Sequence, residues 1–206
     1  MIPTLPPRQR ILAAADDLFR RQGIRGVGVE AIADAAGTNK MTLYRHFESK
    51  DELIAEWMRG IVAQKMRVWD ELAAEYPDDP TAQLVAWSRR TAEAFAQIEE
   101  RGSTILNALA ELPEPDHPAR KVIDEHRRWE HEKILNLCRQ AEFENPELSA
   151  DQFYFLLEGA KSCLQCIGLK RVGEHLMQLV DTMVARKDAT AGTGARRRPH
   201  PRSRGA

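Results

Sequence analysis

The chain holds 206 residues, of which 43% are hydrophobic and 30% charged, enough apolar material for a buried core beneath a solvated surface. No apolar run approaches the ~20 residues of a membrane span, and residues 1–7 carry three prolines and no apolar core of a signal peptide. Three cysteines, an odd number, argue against a disulfide framework and point to a reducing cytoplasm. The net charge of −1 hides an asymmetry: residues 1–50 carry +3, residues 51–188 carry −9, and residues 189–206 carry +5. A basic head on an acidic body suits contact with a polyanion at one end only, because phosphate attraction is local.

Taken in order, the first predicted helix covers about Arg8 to Gln22, with Ile11, Leu12, Ala15, Leu18 and Phe19 on one face and Gly23 as its stop. Arg8 and Arg10 at its start are solvated charges or DNA-backbone ligands. A loop, Ile24 to Gly28, leads to a second helix opening at Val29, for which Gly28 is a weak cap. Ile32, Ala33 and Ala36 recur at helical spacing, Gly37 breaks the run, and a third short helix carries Leu43 and Phe47 inward. Leu18 and Phe19 should pack on Ile32, Leu43 and Phe47. This is the layout of a helix-turn-helix, whose second helix lies in the DNA major groove. A plain α-hairpin inside another helical protein has the same spacing.

The neighbouring residues narrow the choice. The Ala36-Gly37 pair, Thr42-Leu43-Tyr44 and the run Tyr44-Arg45-His46-Phe47-Glu48-Ser49-Lys50-Asp51-Glu52-Leu53 resemble the DNA-binding domain of the TetR family of transcriptional regulators, over about residues 8–57. The resemblance implies an all-α protein in which an N-terminal three-helix DNA-binding domain, residues 1–50, precedes a helical effector-binding and dimerisation domain, residues 51–188. Residues 189–206 are Gly-, Ala-, Pro- and Arg-rich and are expected to be a disordered basic tail. There Arg196, Arg197 and Arg198 are solvated charges or non-specific phosphate contacts. Position on the third helix assigns base contacts to Lys40, Met41 and Thr42 and backbone contacts to Tyr44, His46 and Arg45, and the resemblance implies a further phosphate contact from Lys50 at the start of the fourth helix.

Beyond the head, Ser49 and Glu52 form a capping box for a long helix from Lys50 to about Glu75, with a seam of Leu53, Trp57, Ile61, Val68 and Leu72. Asp79-Pro80 opens the next helix, carrying Leu84, Trp87, Thr91, Phe95 and Ile98 up to Gly102. Ser103 starts a short helix with Ile105, Leu106, Leu109 and Leu112. A longer one begins at Asp116 and carries Val122, Ile123, Trp129, Ile134, Leu137 and Cys138. A second capping box, Ser149 to Gln152, leads into Phe153, Leu156, Leu157, Ala160, Cys163, Leu164 and Ile167. The last helix spans about Val172 to Lys187. No alternating β-branched run occurs, so the fold class is all-α.

The resemblance implies a homodimer through the last two helices, and Phe153, Leu156, Leu164, Leu176, Leu179 and Met183 are the interface candidates. Such a dimer presents two heads to a palindromic double-stranded operator at half-site spacing of about 34–36 Å. It also implies an effector pocket in the body. Trp87, Phe95, Leu109, Trp129, Cys138 and Phe155 are the pocket candidates, with Tyr154 nearby, suiting a small apolar or aromatic effector. Taken singly, each of these aromatics is more often a core residue than a pocket wall. No catalytic constellation, cofactor motif or metal-ligand spacing is present, so neither enzyme activity nor a cofactor is expected. Ligand-released repression is the leading reading. Regulation by oxidation of Cys163 and Cys166, or a helical module that does not bind DNA, are the alternatives.

Overall fold

The computed structural model describes residues 5–95 and 103–194, and every regular element among them is an α-helix. In chain order these are α1 (Pro7–Gln22), α2 (Val29–Ala35), α3 (Lys40–His46), α4 (Lys50–Glu75), α5 (Pro80–Phe95), α6 (Thr104–Glu111), α7 (Pro118–Gln140), α8 (Pro146–Ile167) and α9 (Leu169–Gly194). Ile98 and Gly102, like Arg196, Arg197 and Arg198, lie outside the described residues.

Local chemistry explains most boundaries. Ser49 Oγ accepts from the Glu52 amide at 3.0 Å, which fixes the start of α4. The reciprocal half of that capping box is absent, because the Glu52 carboxylate takes Arg59 at 2.8 Å instead. Asp79 caps α5 through the Ala82 amide at 2.8 Å. α7 starts at Pro118, two residues later than expected, where His117 Nδ1 accepts from the Ala119 amide. α8 starts at Pro146 rather than after Ser149. Asn145 Oδ1 caps the Leu148 amide at 3.0 Å, and the proline at the first helical position has no N–H to satisfy. α9 is longer at both ends than the sequence pattern suggested, from Leu169 to Gly194, so the expected tail from residue 189 begins as helix. A single residue, Gly168 at φ 92°, separates α8 from α9, a left-handed conformation that a side chain would disfavour.

Two buried clusters organise the molecule. The first joins Ile11, Ala15 and Phe19 of α1 to Ile32, Leu43 and Phe47, as expected. It then continues into Leu53, Ile54, Trp57 and Met58 of α4, Ile105 and Ala108 of α6, Leu112, and Ala119 and Ile123 of α7. The expected division at residue 50 is therefore not a packing boundary, because the first half of α4 completes the core of the head. The second cluster holds Trp69 and Leu72 of α4 with Leu84, Trp87, Phe95, Ile134, Leu137, Phe153, Leu157, Leu176 and Val180. Trp69, absent from the expected α4 seam, stacks on Trp87 at 4.6 Å between ring centroids. α4 packs on α7, α7 on α8, α8 on α9, and α9 back onto α5, so the long α4 spans from the head to the centre of the bundle.

Candidate nucleic-acid interface

The short helix α3 is held from three directions. Its inner face is spent entirely: Leu43 is fully buried and Phe47, just beyond it, is 3% exposed. Burial of each such side chain contributes about 1.5–3 kcal/mol. Asn39, which the sequence reading overlooked, caps α3 by accepting from the Thr42 amide at 2.9 Å. Between α2 and α3, Gly37 adopts φ 62°, the left-handed geometry that a tight inter-helix turn requires. Ala33 and Ala36 are buried where α2 meets its neighbours, small enough to allow a close crossing.

What α3 turns outward is hydrogen-bonding and charged apart from the apolar Met41. Met41 is 84% exposed and Tyr44 42%, Lys40 and Arg45 are exposed, and Thr42 and His46 are half-buried. The face is thus accessible along its length. Lys40 is nevertheless engaged. Its ammonium donates to the Glu30 carboxylate of α2 at 2.6 Å, which raises the lysine pKa and lowers that of the glutamate. His46 leaves its Nε2 buried and without a hydrogen-bond partner.

The flanking cations have partners within the head itself. Arg8 pairs with Glu56 at 2.7 Å and lies over the Phe47 ring at 5.2 Å. Arg10 donates to the Gly37 carbonyl at 3.4 Å, tying α1 to the turn. Lys50, assigned a backbone phosphate, directs its ammonium to the Ile24 carbonyl at 2.8 Å, and burial lowers its pKa. These residues brace the head.

Side chains from the body also reach the head. Arg25 donates through its amide to the Glu111 carboxylate at 2.9 Å and through Nε to the Glu111 carbonyl at 2.8 Å. Arg20 donates to Thr104 Oγ1 at 3.0 Å, so both ends of α6 are fastened to the head. Nothing in the sequence pattern marked these contacts, which join residues more than 80 apart in the chain.

The body candidates separate. Trp87, Phe95 and Cys138 are packed into the second cluster, where burial pushes the Cys138 thiol up to about 12. Leu109 borders the first cluster, Trp129 is half-buried beside His126, and Phe155 is 69% exposed on the outside of α8. The six therefore do not line one cavity, because good helix-face positions for aromatics are core positions. Of the interface candidates, Phe153, Leu164 and Leu176 are enclosed by their own chain and leave no surface for a partner. Leu156, Leu179 and Met183 do line an outer groove between α8 and α9, together with Leu148 and Phe155. Cys163 is half-buried and Cys166 exposed on α8. No helix among the described residues is long and apolar enough to cross a membrane.

Residues 11–57 match the family described as bacterial regulatory proteins, tetR family. Over 88 residues the chain is 36% identical to the HTH-type transcriptional repressor KstR2 of Rhodococcus jostii, a match that spans 43% of this chain but only 39% of that protein. With KstR2 of Mycobacterium tuberculosis it shares 28% identity over 156 residues, 71% of this chain and 74% of the other. The crystal structure of SCO4454, a TetR-family transcriptional regulator from Streptomyces coelicolor, aligns with a TM-score of 0.81 at 26% identity, covering 88% of this chain and 95% of that one. These relatives are regulators of transcription. With an accessible α3 on a braced three-helix head and an all-helical body behind it, the chain carries a tetR-family DNA-binding domain over residues 11–57 and shares the fold of a TetR-family transcriptional regulator along most of its length.

Proposed function

We propose that the protein is a homodimeric repressor that leaves a palindromic operator when a small molecule binds its body. The observation that carries this reading is the two-sidedness of α3: its inner face is fully buried while Lys40, Met41, Tyr44 and Arg45 stand in solvent. A helix so anchored enters a major groove as a rigid body, so little ordering cost is left to meet on binding. Lys40, Met41 and Thr42, at the start of α3, face base edges. Tyr44, Arg45 and His46 contact the backbone, and Lys50 acts by holding the Ile24 loop.

One head reads too few base pairs for selectivity. The second copy docks on the α8–α9 groove, where Phe155, Leu148 and Leu179 remain exposed at 69%, 52% and 49%. Contiguous apolar surface of this kind marks an association face. Effector binding is transmitted through α4, whose first half belongs to the head core and whose second half belongs to the body core. A preference of about 1–3 kcal/mol for one arrangement of the heads is enough for a usable switch.

The test is fluorescence anisotropy with labelled DNA from upstream of the protein's own gene. Competitor-resistant binding that falls linearly in log affinity against log salt is expected, each phosphate contact adding about −0.9 to the slope. Binding that is salt-insensitive, or equal for unrelated DNA, would falsify the operator reading.

A further inference from the structure

Buried charge in the body is unusual enough to need a reason. α7 contributes His126, 4% exposed, and Glu130, 7% exposed; α4 contributes the half-buried Lys65; α8 contributes Glu158 and Lys161. Together with Arg127 they surround a cavity of about 10 Å³, closed on one side by Ser103, Ile105 and Leu106 at the start of α6. That volume admits a single water at most.

The pairing inside the cluster is uneven. Lys161 donates to Glu158 at 2.6 Å, and Arg127 lies 3.7 Å from the same carboxylate while donating to the Tyr154 hydroxyl. Among the described residues, Glu130 accepts only from the Trp69 indole N–H, at 3.5 Å. Lys65 makes no ion pair within 4 Å among the described residues, and His126 Nδ1 is buried with no hydrogen-bond partner. Burial holds the His126 imidazole neutral-leaning and lowers the Lys65 ammonium. A fold seeking only stability would fill such a place with apolar side chains.

We propose, resting on the effector-released reading above, that this cluster is the head-group subsite for a monocarboxylic acid with an apolar body. Charge sets the class: Lys65, Lys161 and Arg127 against Glu130 and Glu158 leave one positive unit, which one carboxylate neutralises and a dianionic phosphate overshoots. The acid's oxygens meet Lys65 Nζ and His126 Nδ1, the two groups of the cluster without an ion pair or hydrogen bond among the described residues. Its apolar body follows Ile105 and Leu106 of α6 and the Trp129 ring, which lies against His126 at 5.9 Å.

The same helix explains how occupancy reaches the DNA. A guest larger than one water must push the first turn of α6 outward. Thr104 in that turn holds Arg20, and Glu111 at the other end holds Arg25. Displacing α6 therefore pulls on the head at both points.

The experiment titrates octanoate, and in parallel the uncharged octanamide, into the full-length protein without DNA, by calorimetry. Octanoate should bind at least about tenfold more tightly, the worth of one charge-assisted contact. Lys65→Met should erase that preference while keeping a cooperative melt, and His126→Phe should weaken octanoate alone. Equal binding of the two probes, no octanoate binding, or a preference that survives both substitutions overturns the proposal. A second arm adds the probes to the preformed operator complex. Octanoate bound without operator release would sink the effector reading and leave the subsite standing. Operator binding without octanoate binding would do the reverse.

Discussion

The head and the body use their apolar and charged residues in opposite ways. In the head the large apolar side chains at its centre are enclosed, and the charges lie outside or in braces such as Arg8–Glu56. In the body, Phe155, Leu148 and Leu179 lie outside while Lys65, His126 and Glu130 lie wholly or partly inside. Exposed apolar area and buried charge both cost folding free energy, so the body carries two features that folding alone does not favour. The head exposes apolar area too, at Met41 (84%) and Tyr44 (42%) on the accessible face of α3, but no charged side chain lies in its core cluster. Misplaced residues of the body, judged against the hydrophobic rule, are the basis for the dimer and effector contacts proposed above.

That contrast is open to direct attack. The largest effect is expected from Phe155→Glu, which puts a charge on the exposed α8 face. It should convert the proposed dimer to monomer in sedimentation and lower operator affinity by about a hundredfold or more, since the second head no longer binds intramolecularly. A stable dimer of this variant would show that the α8–α9 groove is not the association face.

A smaller effect, of opposite sign, is expected inside the body. His126→Phe removes a buried nitrogen that has no partner and should raise stability by about 1 kcal/mol near neutral pH. The imidazole faces Lys65 from α4, Glu130 on its own helix, and Glu158 and Lys161 from α8. Burial keeps its pKa below the ordinary 6.5, so the unfolded chain binds a proton that the folded chain refuses. Stability should therefore fall as pH drops through about 6.5, and the variant should lack this loss. Thermal melts at several pH values decide it; an unchanged profile would mean His126 is not a buried, neutral group.

The smallest effect belongs to the head. Glu30 stands on the exposed face and occupies Lys40 at 2.6 Å. Glu30→Gln frees that lysine and removes a negative charge facing DNA, so operator affinity should rise by roughly threefold to tenfold, most at low salt. Unchanged or weakened binding would indicate that Glu30 positions Lys40 for its base.

Much of the head was legible in the residue pattern because its determinants are local. Gly37, Leu43, Phe47 and the Ser49 cap lie within a few residues of the groups they act on. The Asn39 cap was overlooked although its signal, an amide side chain three residues before Thr42, was present. The body was read well as helices and poorly as a site. Phe153 and Phe155 illustrate why: two residues apart on one helix, the first is fully buried and the second 69% exposed. Both are aromatic, so residue type alone does not tell core from surface.

By itself the sequence determined where the helices of the head start and break, which face of α3 is apolar, and that the head is basic while the body is acidic. Those properties follow from periodicity, capping groups and composition, all of which act over a turn or two of chain. Only the tertiary structure decided that α4 belongs to both cores, that α6 is fastened to the head by Arg20 and Arg25, and that Lys65, His126 and Lys161 converge. Such contacts join residues tens of positions apart, and packing geometry rather than local propensity brings them together.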